Sequence, residues 1–195
     1  MNALELFQAS LIRRLLGDPI PSPLKNEADL EKRFVLPTVH EVRRQTPDLH
    51  IHAHPWNHIA TCDPNCTDGT GLIDAGEIYG CPDCWEASKA WAAVRLYGLH
   101  CFDVVVGEPD DSLVIELKLL RRARQGNRKA NDGFQRLIGQ CTLARLVHPR
   151  VVGFCVAEAG ALDMNAVSHV DDLRQHGIWL LVRSLDHPTG QQVVR

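Results

Sequence analysis

Residues 101–118 read Cys101-Phe102-Asp103-Val104-Val105-Val106, then Gly107-Glu108-Pro109-Asp110-Asp111, then Ser112-Leu113-Val114-Ile115-Glu116-Leu117-Lys118. Two apolar, β-branched runs flank a segment of glycine, proline and acidic residues, which is the composition of a β-hairpin. Glu116 and Lys118 are two positions apart, so on a strand they face one side while Leu117 faces the other, toward the core. Asp103, on the neighbouring antiparallel strand, can be brought alongside them. Two carboxylates so placed form a hard-oxygen site suited to Mg²⁺ or Mn²⁺, completed by waters and a phosphate oxygen. A lysine beside them can orient a water and offset charge in a pentacovalent transition state.

Working outward, a basic loop leads to a predicted helix over residues 132–146. The continuous apolar run Val151 to Ala157 then reads as a buried strand. A helix closing near Leu173 and Arg174 and a last strand over residues 178–182 complete the second half. On the amino-terminal side, Leu4, Phe7, Leu11, Leu15 and Leu16 recur at helical spacing until Gly17-Asp18-Pro19 stops them. Asn26 can cap a second helix whose first turns carry Glu27, Asp29 and Glu31 and which Pro37 kinks or interrupts. His50 to His54 alternates with period two, as a strand does. Helices alternating with strands after an antiparallel hairpin predict an α/β fold with a mixed sheet flanked by helices. The expected organisation is a single domain, residues 1–195, with an insertion at residues 58–86.

Asp103 followed by Glu116-Leu117-Lys118 resembles the D…(D/E)-x-K signature of the PD-(D/E)XK nucleases, on the hairpin where that superfamily carries it. Phe102 stands where the proline of the family name would be. The resemblance implies a restriction endonuclease-like core and a Mg²⁺-dependent nuclease, either endonuclease or exonuclease, hydrolysing phosphodiester bonds in DNA. Asp103 and Glu116 would hold the metal and Lys118 would activate water. The family often adds a carboxylate from a helix before the core, for which Glu31 is the first candidate and Glu27 the second. Several branches place a glutamine from the helix after the E-x-K strand near the site; Gln140 is the first candidate and Gln135 the second. A homodimer would let two such sites cut both strands.

Cys62-Asp63-Pro64-Asn65-Cys66 and Cys81-Pro82-Asp83-Cys84 are two knuckles, C-x3-C and C-x2-C, in a stretch with almost no apolar periodicity. Four thiolates at such spacing can converge on a tetrahedral Zn²⁺, and a four-sulfur site is closed to substrate and therefore structural. His58 could replace one sulfur. The other three cysteines, Cys101, Cys141 and Cys155, sit in apolar or helical contexts and read as core residues.

The net charge of −3 conceals an asymmetry. Lys118, Arg121, Arg122, Arg124, Arg128, Lys129 and Arg136 oppose only Asp132 between residues 118 and 136, so that window carries +6 and the rest of the chain −9. The six arginines and lysines beyond Lys118 are the candidate nucleic-acid contacts, since phosphate neutralisation dominates such binding. No apolar run reaches the roughly 20 residues of a membrane span. Residues 1–17 do not read as a secretory signal, and seven cysteines without a disulfide pattern fit a cytoplasmic protein.

Two competing functions follow from the same residues. One is a catalytically inactive nucleic-acid-binding or assembly protein on this fold. The other is a His-x-His metal hydrolase built on His50, His52 and His54, for which 195 residues is short of the usual barrel of roughly 250.

Overall fold

The computed structural model describes residues 2–49, 51–53, 102–108, 110–122, 128–162, 167 and 170–185. Helix α1 (Ala3–Gly17) begins at a capping box: the Asn2 side chain accepts the N–H of Glu5, whose carboxylate accepts the N–H of Asn2 in return. Its periodic residues Leu4, Phe7, Leu11 and Leu15 are all buried.

The second helical segment starts where Asn26 accepts the N–H of Asp29. It runs as α2 (Glu27–Leu30), a π-helical turn (Glu31–Val35) and α3 (Leu36–Arg43). The expected interruption at Pro37 takes this form. Pro37 has no N–H to donate and its ring crowds the carbonyl four residues back, and the wide turn immediately before it lets the helix pass without breaking. Arg43 then folds back to donate to the carbonyls of Pro47 and Leu49, closing the loop toward the sheet.

The sheet has five strands in the order β1 (Ile51–Ala53), β2 (Val104–Glu108), β3 (Asp111–Leu120), β4 (Arg150–Ala157) and β5 (Ile178–Ser184). The first two pairings are antiparallel and the last two parallel, so the sheet is mixed, as predicted. The hairpin turn is tighter than the five-residue segment read from composition, because Glu108 pairs with Asp111. Gly107 makes this possible: its φ is +100°, and a Cβ there would lie 2.5 Å from the Asp111 carbonyl oxygen. Helix α4 (Arg128–Arg145) crosses between β3 and β4 and starts four residues earlier than its apolar pattern suggests. A 3-10 helix (Val170–His176) precedes β5.

Each face of the sheet has its own core. Leu113, Ile115 and Leu117 of β3 point toward α1 to α3 and meet Phe7, Leu11, Leu30 and Phe34. Val114 and Leu120 point toward α4 and meet Phe134, Leu137, Cys141 and Ala144. Burying each such side chain is worth roughly 1.5–3 kcal/mol. Arg183 is the exception on β5, only 1% exposed. It donates to the carbonyls of Leu15 and Asp18, and so satisfies the end of α1 from within the core. No helix among the described residues is long and apolar enough to cross a membrane.

Candidate functional site

The alternation that builds the core is broken at two places on the α4 face of β3, by Glu116 and Lys118. Glu116 is fully buried, at 0% exposure, and Lys118 is partly buried. A carboxylate and an ammonium where an aliphatic pair would pack are informative, because buried charge is costly unless it has partners.

The register partner of Glu116 is a glycine. Gly153 lies beside it on β4, and a Cβ at that position would come within 2.7 Å of the Cys141 sulfur and 2.4 Å of Leu180. The absent side chain thus lets Cys141 of α4 settle against the sheet next to Glu116. The Cys141 thiol is pushed well up, first by burial and then by the negative charges of Glu116 and Asp103.

Asp103 sits one residue before β2, where that strand has parted from β3. Its Oδ2 accepts the N–H of Leu117 at 2.7 Å, a backbone donor for which β2 supplies no strand partner. The next outward N–H, that of Leu119, is taken at 3.2 Å by Oε2 of Glu27. The other oxygen of Glu27 lies 3.1 Å from the Lys118 ammonium. Two side-chain carboxylates thus finish the free edge of β3, with Lys118 between them in sequence. Lys118 and Glu27 also act in opposite senses on Cys155, whose thiol burial raises to about 12.

The residues predicted from sequence divide accordingly. Asp103, Glu116 and Lys118 are brought to one end of β3. Glu27, the second-ranked helix carboxylate, makes the contact to Lys118, whereas Glu31 is tucked to 9% exposure at the start of the π-helical turn. Gln140 precedes Cys141 on α4, half-buried, and its Oε1 has no hydrogen-bond partner among the described residues; Gln135 is exposed. Arg121 pairs with Glu158 and donates to the Leu24 carbonyl. Arg122 and Arg136 are exposed, while Arg128 and Lys129 lie on the first turn of α4. Arg124 and the cysteines expected to hold zinc, Cys62, Cys66, Cys81 and Cys84, fall outside the described residues, as do His50, His54 and His58. His52 pairs through its backbone with Val105.

Sequence reasoning passed over two groups. Glu158, immediately after β4, binds both the Arg121 side chain and the Arg122 N–H; its position at the carboxyl end of a buried parallel strand was the available signal. Ser112 and His148 form a buried 2.6 Å hydrogen bond between Oγ and Nδ1, with Phe102 edge-on to the imidazole. Nothing in their spacing advertises it.

For a metal, the donor chemistry is that of two hard carboxylates. No group of three or more His, Cys, Asp or Glu gathers among the described residues, so any ion here would keep several waters, as Mg²⁺ does. The buried Glu116, with Asp103 bonded to the N–H of the next residue, is a donor set whose charge and oxygen chemistry fit a divalent cation. Comparison with family models, curated proteins and solved structures gives no match for this chain.

Proposed function

We propose that this protein is a metal-dependent nuclease hydrolysing phosphodiester bonds, in DNA, with Asp103 and Glu116 holding Mg²⁺ or Mn²⁺. The observation that carries the reading is that Asp103 Oδ2 accepts, at 2.7 Å, the N–H of Leu117, the residue between the buried Glu116 and Lys118. The order of elements supports it too: a hairpin, a helix, then a strand parallel to the second hairpin strand.

The ion, when bound, would polarise the phosphate and lower the pKa of a coordinated water. The protein's own groups supply position and charge. Asp103 is steered by the Leu117 N–H, and the rigid packing of β3 under α4 fixes Glu116. Lys118, steadied by Glu27, contributes a cation toward the oxygen atoms on which charge builds as water attacks phosphorus and the leaving oxygen departs. The four cysteines 62, 66, 81 and 84 are proposed as a closed structural zinc site.

A second reading, a non-catalytic nucleic-acid-binding or assembly protein, draws on the complete burial of Glu116. Incubating plasmid, single-stranded and branched DNA, and RNA, with the protein and Mg²⁺ separates the two. The nuclease reading expects cutting that falls at least about a hundredfold in Lys118→Ala. Cutting that persists unchanged in that variant removes Lys118 from the mechanism, and failure to cut any substrate favours the binding reading.

A further inference from the structure

We propose that a cleft at the carboxyl end of the parallel strands is a subsite for a nucleotide flanking the scissile phosphate, with its phosphate on Arg122 and its apolar surface against Pro23 and Leu185. The inference rests on the phosphodiesterase reading of the neighbouring carboxylates. The cleft measures about 430 Å³ and is lined by Ser22, Pro23, Arg121, Arg122, Glu158 and Leu185, among others. That volume lies within the roughly 300–1,000 Å³ of small-ligand pockets.

Its walls are the residues that directly follow β3, β4 and β5 together with the segment Ser22 to Leu24. Open α/β sheets take ligands at this end, where diverging loops turn their polar groups into a common crevice. Here the exits are held in register, since the Glu158 N–H donates to the Leu120 carbonyl and the Leu185 N–H to the Ala157 carbonyl, each at 2.9 Å.

The two arginines of the cleft are in different states. Arg121 is engaged by Glu158 and the Leu24 carbonyl. Arg122 donates its backbone N–H to Glu158 Oε2 at 2.8 Å, which fixes its main chain. Its guanidinium is exposed and makes no hydrogen bond or ion pair with a described residue. Two guanidiniums against one carboxylate leave the cleft positive, and a guanidinium fork matches phosphate oxygens in pairs.

The cleft neighbours the carboxylate site along β3. The contacts Lys118 to Glu27 and Arg121 to Leu24 lie side by side, so the segment from Leu24 to Glu27 runs alongside β3 from one site to the other. At a rise of about 3.3 Å per residue for extended chain, the Arg122 backbone lies at most about 13 Å beyond that of Lys118. A nucleic-acid strand advances about 3.4 Å per nucleotide in a duplex, so the cleft lies within about four nucleotides of the cut.

The test measures binding separately from cleavage. A short fluorescein-labelled oligodeoxynucleotide, single-stranded and duplex, is titrated by anisotropy against the full chain with Ca²⁺ replacing Mg²⁺. Arg122→Ala should weaken binding about tenfold and reduce the slope of log Kd against log salt by about one. Arg44→Ala, which removes the same charge from the exposed C-cap of α3, should stay within about twofold. A methylphosphonate walked along the strand should weaken the parent at one position and leave Arg122→Ala unaffected there. Equal losses in the two arginine variants, or no binding by the parent, would overturn the subsite. A parent that cuts DNA while Arg122→Ala binds as well as it does loses the subsite and keeps the nuclease reading. One that shows the Arg122 dependence yet cuts nothing overturns the nuclease reading, and with it the subsite's place beside a scissile phosphate, and leaves a nucleotide-binding cleft.

Discussion

Glu27 holds Lys118 at two points: one carboxylate oxygen lies 3.1 Å from the ammonium, and the other accepts the N–H of the following residue, Leu119, at 3.2 Å. The contact fixes both the side chain and the strand that carries it. Glu27 is 40% exposed at its side chain, so solvent screening keeps the ion pair itself modest. A double-mutant cycle with Glu27→Gln and Lys118→Met should give a coupling of about 0.5 kcal/mol in stability. Glu27→Ala, which also strips the acceptor from the Leu119 N–H, should cost about 1 kcal/mol. In cleavage assays Glu27→Gln should lower kcat about tenfold with KM held, as expected of a positioning residue. Strict additivity in the cycle would show that the pair contributes nothing.

Gly153 is the position on β4 that lets Cys141 and Leu180 pack against the sheet beside Glu116. Alanine there meets the Cys141 sulfur and a Leu180 methyl well inside contact distance. Leucine can rotate away, but the cysteine is short and anchored on α4. Gly153→Ala should therefore cost roughly 1–3 kcal/mol in chemical denaturation. Adding Cys141→Ala should return part of that loss, because the two changes relieve one clash. If the double variant is no more stable than Gly153→Ala, the clash is not with Cys141.

Much of this arrangement was legible in the sequence. The hairpin, α1, β4 and β5 follow from β-rich or continuous apolar runs and helical spacing bounded by turn residues, and these locate Glu116 and Lys118 on β3; Asp103, expected on the first hairpin strand, stands one residue before it. The choice between Glu27 and Glu31 was not legible. They are four apart and share a helical face, and only the tertiary packing that buries Glu31 separates them. The early start of α4 was hidden because Arg128, Lys129 and Asn131 carry no apolar rhythm. The π-helical turn has no composition of its own beyond the proline that follows it. The Ser112 and His148 pair joins residues 36 apart through the β3 and β4 register, a relation no local pattern encodes.

Metal content offers a check on the cysteine knuckles independent of any activity. Purified protein should contain about one zinc per chain by atomic emission, and Cys81→Ser with Cys84→Ser should lose it. Because thiolate binding couples metal to folding, a strong chelator should lower the thermal midpoint of the parent. Zinc retained at full stoichiometry in the double serine variant would refute the four-sulfur site.

His148 makes stability depend on pH. The residue is 0% exposed, bonded to Ser112, and burial depresses its pKa from 6.5 to about 4. Above about pH 6.5 the imidazole is neutral in both folded and unfolded chains and contributes no pH dependence. As pH falls from there toward 4, the unfolded chain takes up a proton that the folded chain refuses, so stability drops, by up to roughly 3 kcal/mol. Below about 4 both states are protonated and this loss ends. Urea midpoints measured across that window should fall steeply for the parent. In His148→Gln the absolute stability should be lower at neutral pH, since Phe102 and Ser112 lose their partner, but the slope between pH 6.5 and 4 should flatten. A variant that keeps the parent's slope would assign the proton uptake to another group.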